Sequence, residues 1–169
     1  SDEVEQETIR PYPCIYTVLL ANTRVNLSFG VFMVGSGSAG TAPKYDPILK
    51  ACGLSAATVS STSVTYTPST LATQDSVTLY VNYDGVRHKV TGARGTFSIS
   101  CAVNEIPRIN FEMQVIFNTP TDTALPTVTK SLQPDPFLFK NGNTSSFSVF
   151  GFSAALQSWE LDFANEVIY

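Results

Sequence analysis

The chain has 169 residues, enough for one domain whose core needs no disulfide or metal staple. Hydrophobic residues make up 43% and charged residues only 14%, well under the ~25% of an ordinary soluble domain, so much of the surface is expected to be covered by neighbours. A net charge of −4 and a pI of about 4.8 argue against a duplex-binding footprint, which needs clustered Lys and Arg; they leave room for a weakly acidic wall past which DNA slides.

The start, Ser1-Asp2-Glu3-Val4-Glu5, is acidic, and residues 1–13 read as an extended N-terminal arm, because Pro11 and Pro13 hold their predecessors in extended geometry. The remainder, 14–169, reads as one β domain. Val25, Leu27, Phe29, Val31 and Met33 alternate with Asn26, Ser28 and Gly30, which predicts a half-buried strand from Arg24 to Val34. A flexible loop follows, made of Gly35, Ser36, Gly37, Ser38, Ala39 and Gly40. Asp46 as N-cap, Pro47 at the first helical position and Gly53 as left-handed stop predict one short helix over Asp46–Cys52.

Strands are then predicted at Ser63–Thr67, at Ser76–Tyr83 and at Val86–Thr91, the last two joined by a type I′ turn at Asp84-Gly85. Alternation continues at Thr96–Val103 and at Arg108–Phe117. After a Pro/Thr-rich connection from Asn118 to about Pro136, strands at Ser145–Phe152 and Gln157–Phe163 close the chain. The architecture expected is mainly β, an antiparallel β-sandwich or small barrel with one short flanking helix. The chain stops at Val167-Ile168-Tyr169 with an apolar run still in progress, an ending expected of a piece of a longer subunit.

Chemistry-bearing motifs are sparse. Cys14, Cys52 and Cys101 are odd in number and lack paired spacing, as expected of reduced, buried thiols. With no run of about 18 apolar residues and no signal-like start, the chain reads as soluble, made in the cytoplasm and not secreted; the sequons at Asn26 and Asn143 are then coincidental. Gly35, Gly37 and Gly40 satisfy G-x-G-x-x-G, yet Thr41-Ala42-Pro43 stands where a dinucleotide-binding helix would open. His88 is the only histidine and sits between two cations, which disfavour its protonated form. Glu160 and Asp162 share a strand face about 7 Å apart, pointing in parallel rather than across a cleft. The residues therefore predict no catalytic machinery, no metal site and no cofactor.

The basic group Arg87, Lys89 and Arg94 admits two readings. It meets the acidic N-terminal arm of a neighbouring copy, or it is a solvated hairpin. Trp159, Tyr80 and Tyr83 are the aromatics a sugar site would recruit, although Trp159 shares a strand face with Leu161 and Phe163 and reads as core.

An ordered series of segments resembles the tail tube proteins of long-tailed, non-contractile bacteriophages. It begins with residues 35–43 (GSGSAGTAP), 47–53 (PILKACG) and 63–68 (SVTYTP). The most specific stretch is the hairpin, 76–80 (SVTLY) and 83–96 (YDGVRHKVTGARGT), followed by 118–126 (NTPTDTALP) and 161–169 (LDFANEVIY). The resemblance implies a non-enzymatic virion part that assembles with copies of itself into stacked rings. Their inner sheets would join into one barrel around a lumen that passes DNA without reading its sequence. It also implies the tape measure and tail terminator as further partners, assembly in the host cytoplasm and no membrane. On this reading the Gly35–Gly40 loop and the 118–136 connection are stacking arms. An accessory Ig-like or carbohydrate-binding module on a phage tail is the competing expectation.

Overall fold

The computed structural model describes residues 2–5, 18–129, 134–140, 148–153 and 155–167. Residues 6–13 of the predicted arm, Cys14, the Asn143 sequon and residues 130–133 of the long connection lie outside these. Of the arm, Asp2–Glu5 forms a strand (β1) that pairs antiparallel with Val18–Asn22 (β2).

The main sheet is built from Arg24–Phe32 (β3), Val77–Tyr83 (β6), Val86–Ala102 (β7), Arg108–Phe117 (β8), Thr121–Asp122 (β9) and Ser158–Asp162 (β12). Its main path is β12-β7-β8-β3, antiparallel throughout; β6 and β9 flank the first half of β7. A hairpin of Leu54–Val59 (β4) and Ser63–Pro68 (β5) stands apart as its own two-stranded sheet, as does the small pair Ser148–Val149 (β10) and Phe152–Ser153 (β11).

Alternation drives this arrangement. In β8, Ile109, Phe111, Met113 and Val115 are all buried, while Arg108, Asn110 and Glu112 between them are exposed. Register carries one face across all four strands, so Phe29 lies opposite Phe111 and Phe111 opposite Phe97. The rings follow the register. Phe29 stacks on Phe111 at 5.4 Å between centroids, Phe97 tilts against Phe111 at 6.2 Å, and Phe163 stacks on Phe97 at 5.1 Å. Each buried phenyl contributes roughly 1.5–3 kcal/mol through removal from water, and such aromatic pairs add about 0.5–1.5 kcal/mol more.

The apolar face is covered by the one α-helix among the described residues, Asp46–Ala51 (α1), which buries Leu49 and Ala51, with Cys52 buried at its cap. Pro47 is the second helical residue rather than the predicted first, and Gly53 leaves the helix at φ +91° as the sequence predicts. Asp46 differs. It is the first helical residue rather than the cap, and its nearly buried carboxylate accepts from the Tyr66 hydroxyl at 2.7 Å and pairs with Lys50 at 2.8 Å. That network fastens β5 to the helix.

The expected class, mainly β and antiparallel with one short helix, holds. The expected sandwich or barrel is not closed among the described residues. The helix and the β4–β5 hairpin, not a second full sheet, back the apolar face, and β3 and β12 end the main four-strand path, with β6 a further outer strand beside the first half of β7. Two strands predicted at Val86–Thr91 and Thr96–Val103 are one 17-residue strand, because Gly92 (φ +63°) forms a bulge that carries the ladder through instead of ending it. The predicted separation at Gly95 fails for a different reason: a Cβ there would fall on the Glu112 carbonyl oxygen and 2.7 Å from the Met113 Cα, so glycine lets β7 and β8 close together.

Candidate functional site

The face of the main sheet opposite the helix is mostly polar, with Phe32 and Ile116 as exposed apolar exceptions. Reading across the strands, Glu160, Ser100, Arg108 and Phe32 form one row; Asp162, Ser98, Asn110 and Gly30 form the next. Thr96, Glu112 and Ser28 follow, then Arg94, Gln114 and Asn26, then Ile116 opposite Arg24. Cations and carboxylates are thus interspersed, with Glu160 and Asp162 on the β12 edge and Arg24 on the β3 edge. Gly30 lacks a side chain where the Arg108 guanidinium and the Asn110 amide crowd in, and Arg108 lies over the Phe32 ring at 5.5 Å. A shallow recess of about 380 Å³ opens on this face between Ser28, Thr96, Glu112 and the segment at Asn165.

Asn165 holds that segment down. Its side-chain amide donates to the Gly95 carbonyl at 3.0 Å and to the Cys52 carbonyl at 3.2 Å, and its backbone N–H donates to Thr96 Oγ1 at 3.0 Å. One residue therefore joins the helix end, the middle of β7 and the chain beyond β12. The sequence carried no signal for this. A lone Asn after a strand reads as a loop residue, and its partners lie 113 and 70 residues away.

The other predicted positions are scattered. In the Gly35–Gly40 loop the Ser36 hydroxyl donates to the Ser38 carbonyl at 2.7 Å and accepts from the Ser38 N–H at 3.3 Å. Gly40 packs on the β4–β5 turn, where a Cβ would meet the Ser61 N–H and come within 2.6 Å of the Val59 carbonyl. The loop is thus seated on its own hairpin. Arg87 donates to Asn82 Oδ1 at 3.2 Å and lies over the Tyr80 ring at 5.7 Å. Arg94 donates to the backbone carbonyls of Gln74 and Asp75 at 3.3 and 3.4 Å. Lys89 is exposed on the β6–β7 hairpin opposite Tyr80, while His88 is half-buried opposite Val81. The hairpin turn has the expected two positive φ angles, +46° at Asp84 and +83° at Gly85.

Chemically, the thiols run opposite to nucleophiles. Burial pushes Cys52 up to about 12 and raises Cys101 as well, which keeps both protonated. Among the described residues no three His, Cys, Asp or Glu side chains are grouped to hold a metal ion, and no helix is long and apolar enough to cross a membrane. Tyr80 and Trp159 lie on opposite faces, their partners Lys89 and Cys101 about 40 Å apart along β7, so the three candidate aromatics make no common platform for a sugar ring. Trp159, expected in the core, is on the apolar face but 39% exposed, because β12 is an outer strand that the helix does not reach.

No protein-family model, curated protein or solved structure matches the chain.

Proposed function

We propose that this chain is a structural subunit of a bacteriophage tail tube, assembling with copies of itself into stacked rings that conduct DNA. One observation carries the reading beyond the resemblance of its ordered segments: an open, even-stranded antiparallel sheet, apolar toward the helix and polar on the other face. Among the described residues, its outer strand β3 pairs only with β8, and β12 only with β7. Exposed outer strands are an aggregation hazard that a monomer guards against and an assembling subunit exploits.

The polar face suits a channel wall. Its hydroxyls, amides and interspersed charges give DNA no continuous cationic track to adhere to. On this reading tape measure and terminator proteins are further partners, the setting is the virion tail, and the chain catalyses nothing. Negative-stain microscopy with light scattering tests it: rings or tubes that grow with protein concentration are expected. A species that stays monomeric across the concentration range counts against the proposal.

A further inference from the structure

Independently of the tail-tube reading, we propose that Asp84, at the tip of the β6–β7 hairpin, is a site of spontaneous isomerisation to isoaspartate. The reaction needs an aspartyl side chain, an unhindered backbone nitrogen on the next residue, and room for a ring to close between them. Asp84-Gly85 meets each need.

The attacking nitrogen is free of the ladder. In a two-residue turn the Val86 N–H and the Tyr83 carbonyl close the loop, so the Gly85 N–H takes no part in it. Gly85 has no side chain to screen its nitrogen, and nothing stands within 4 Å of the place a Cβ would occupy. Asp84 is exposed and Tyr83 beside it is 77% exposed, so little burial resists opening of the turn while the ring closes.

Competing positions are blocked at the same atom. After Asp122, the Thr123 N–H donates to the Gly85 carbonyl at 2.9 Å. After Asp162, the Phe163 N–H donates to the Phe97 carbonyl at 3.1 Å, and after Asn104 the Glu105 N–H donates to the Ala102 carbonyl at 3.1 Å. Asp46 and Asp135 precede proline, which has no N–H. Among the described residues Asp84 is the one Asp or Asn followed by glycine; Asn141-Gly142 lies outside them.

In the first step the Gly85 nitrogen bonds to Cγ of the Asp84 carboxylic acid. The C–OH bond breaks, and the hydroxyl leaves with the amide proton as water. In the second step water adds to the Asp84 main-chain carbonyl within the ring. Its bond to the Gly85 nitrogen breaks, and the nitrogen regains a proton. The chain then runs through the side-chain methylene, and the former main-chain carbonyl is a free carboxylate. Nothing is oxidised or reduced, and water is the only co-reactant. The turn gains one backbone carbon, about 1.5 Å of chain, which a two-residue loop cannot absorb while keeping Tyr83 opposite Val86. The Gly85 carbonyl leaves the Thr123 N–H, and β9 loosens from Val86 and Arg87.

Ageing the folded, unsubstituted chain in mildly acidic buffer and digesting it with trypsin tests this. The peptide that ends at Arg87 should split into two chromatographic peaks of equal mass, with fragmentation placing the β-linkage at Asp84. Asp84→Glu, which would need a larger and slower-forming ring, should give a single peak. Amide hydrogen exchange at Val86 and Thr123 should be faster in the aged fraction; unchanged exchange at Thr123 would overturn the loosening of β9. A single α-linked peptide from the folded chain, with isomerisation only after unfolding in urea, would show that the turn protects the bond and would sink the proposal. A β-linkage that forms first at Asp75, before Ser76, would sink it equally.

Discussion

The two halves of β7 share one backbone and live in different surroundings. From Arg94 to Ala102 the strand runs between β8 and β12, with Phe97 and Cys101 buried beneath it and the aromatic row crossing at Phe97. From Val86 to Thr91 it is flanked chiefly by β6 and β9, and the side chains there are mostly exposed or half-exposed; Tyr83 is 77% exposed. Hydrogen-bonded ladders run along both halves, so backbone pairing does not distinguish them. What differs is side-chain burial, which dominates stability.

If that contrast is correct, substitutions should sort by half. The largest effect is expected at Gly95, where valine must displace the β8 backbone; Gly95→Val should leave no cooperative unfolding transition in circular dichroism. Phe111→Ala follows, costing about 3–5 kcal/mol for the lost transfer energy and cavity, measurable as a fall in the urea midpoint at unchanged slope. Asn165→Ala leaves the Cys52 and Gly95 carbonyls without its amide and should cost about 1–3 kcal/mol. Hydrogen exchange should show that loss first in β12 and the helix end.

Tyr66→Phe removes the hydroxyl that donates to Asp46 and should cost about 1 kcal/mol near neutral pH. Burial first, and then the Asp46 carboxylate, raise the Tyr66 hydroxyl, and burial raises Cys52. Folded values above the unfolded ones mean that this stability is complete below about pH 9 and fades as pH rises toward 12 and beyond. The Tyr66→Phe and Cys52→Ala chains should therefore lose a smaller fraction of their stability than the parent in an alkaline titration followed by fluorescence. The smallest effect is expected in the outer half of β7's hairpin. Tyr83→Ala should stay within about 0.5 kcal/mol, and a larger loss would show that the hairpin is part of the core.

Period-2 alternation made β3, β6 and β8 legible, because one face of β8 is buried and the matching residues of β3 and the start of β6 pack partly against it. The helix was legible from Pro47 and Gly53, and the hairpin from Asp84-Gly85. Strand β4, Leu54–Val59, was not, since its Ser, Ala and Thr residues show little contrast between faces and it takes its place from pairing with β5. The unity of β7 was hidden by two glycines that read as breaks but serve a bulge and a close approach. Asp46 read as a cap because its role depends on Tyr66, twenty residues on. The polar face was visible residue by residue, whereas the alignment of its rows and the open outer strands depend on register, which alternation alone leaves unspecified.

The unbroken course of β7 has a mechanical consequence. A load on the Asp84-Gly85 tip passes into the aromatic row through covalent backbone, without crossing a side-chain contact or a flexible linker. Along most of that path the neighbouring strands lie alongside, so a pull along the strand loads many hydrogen bonds in shear at once rather than opening them one by one. The compliant point is the bulge at Gly92, where the ladder shifts register. Bending should concentrate there, letting the tip deflect while the buried half of the strand stays stiff.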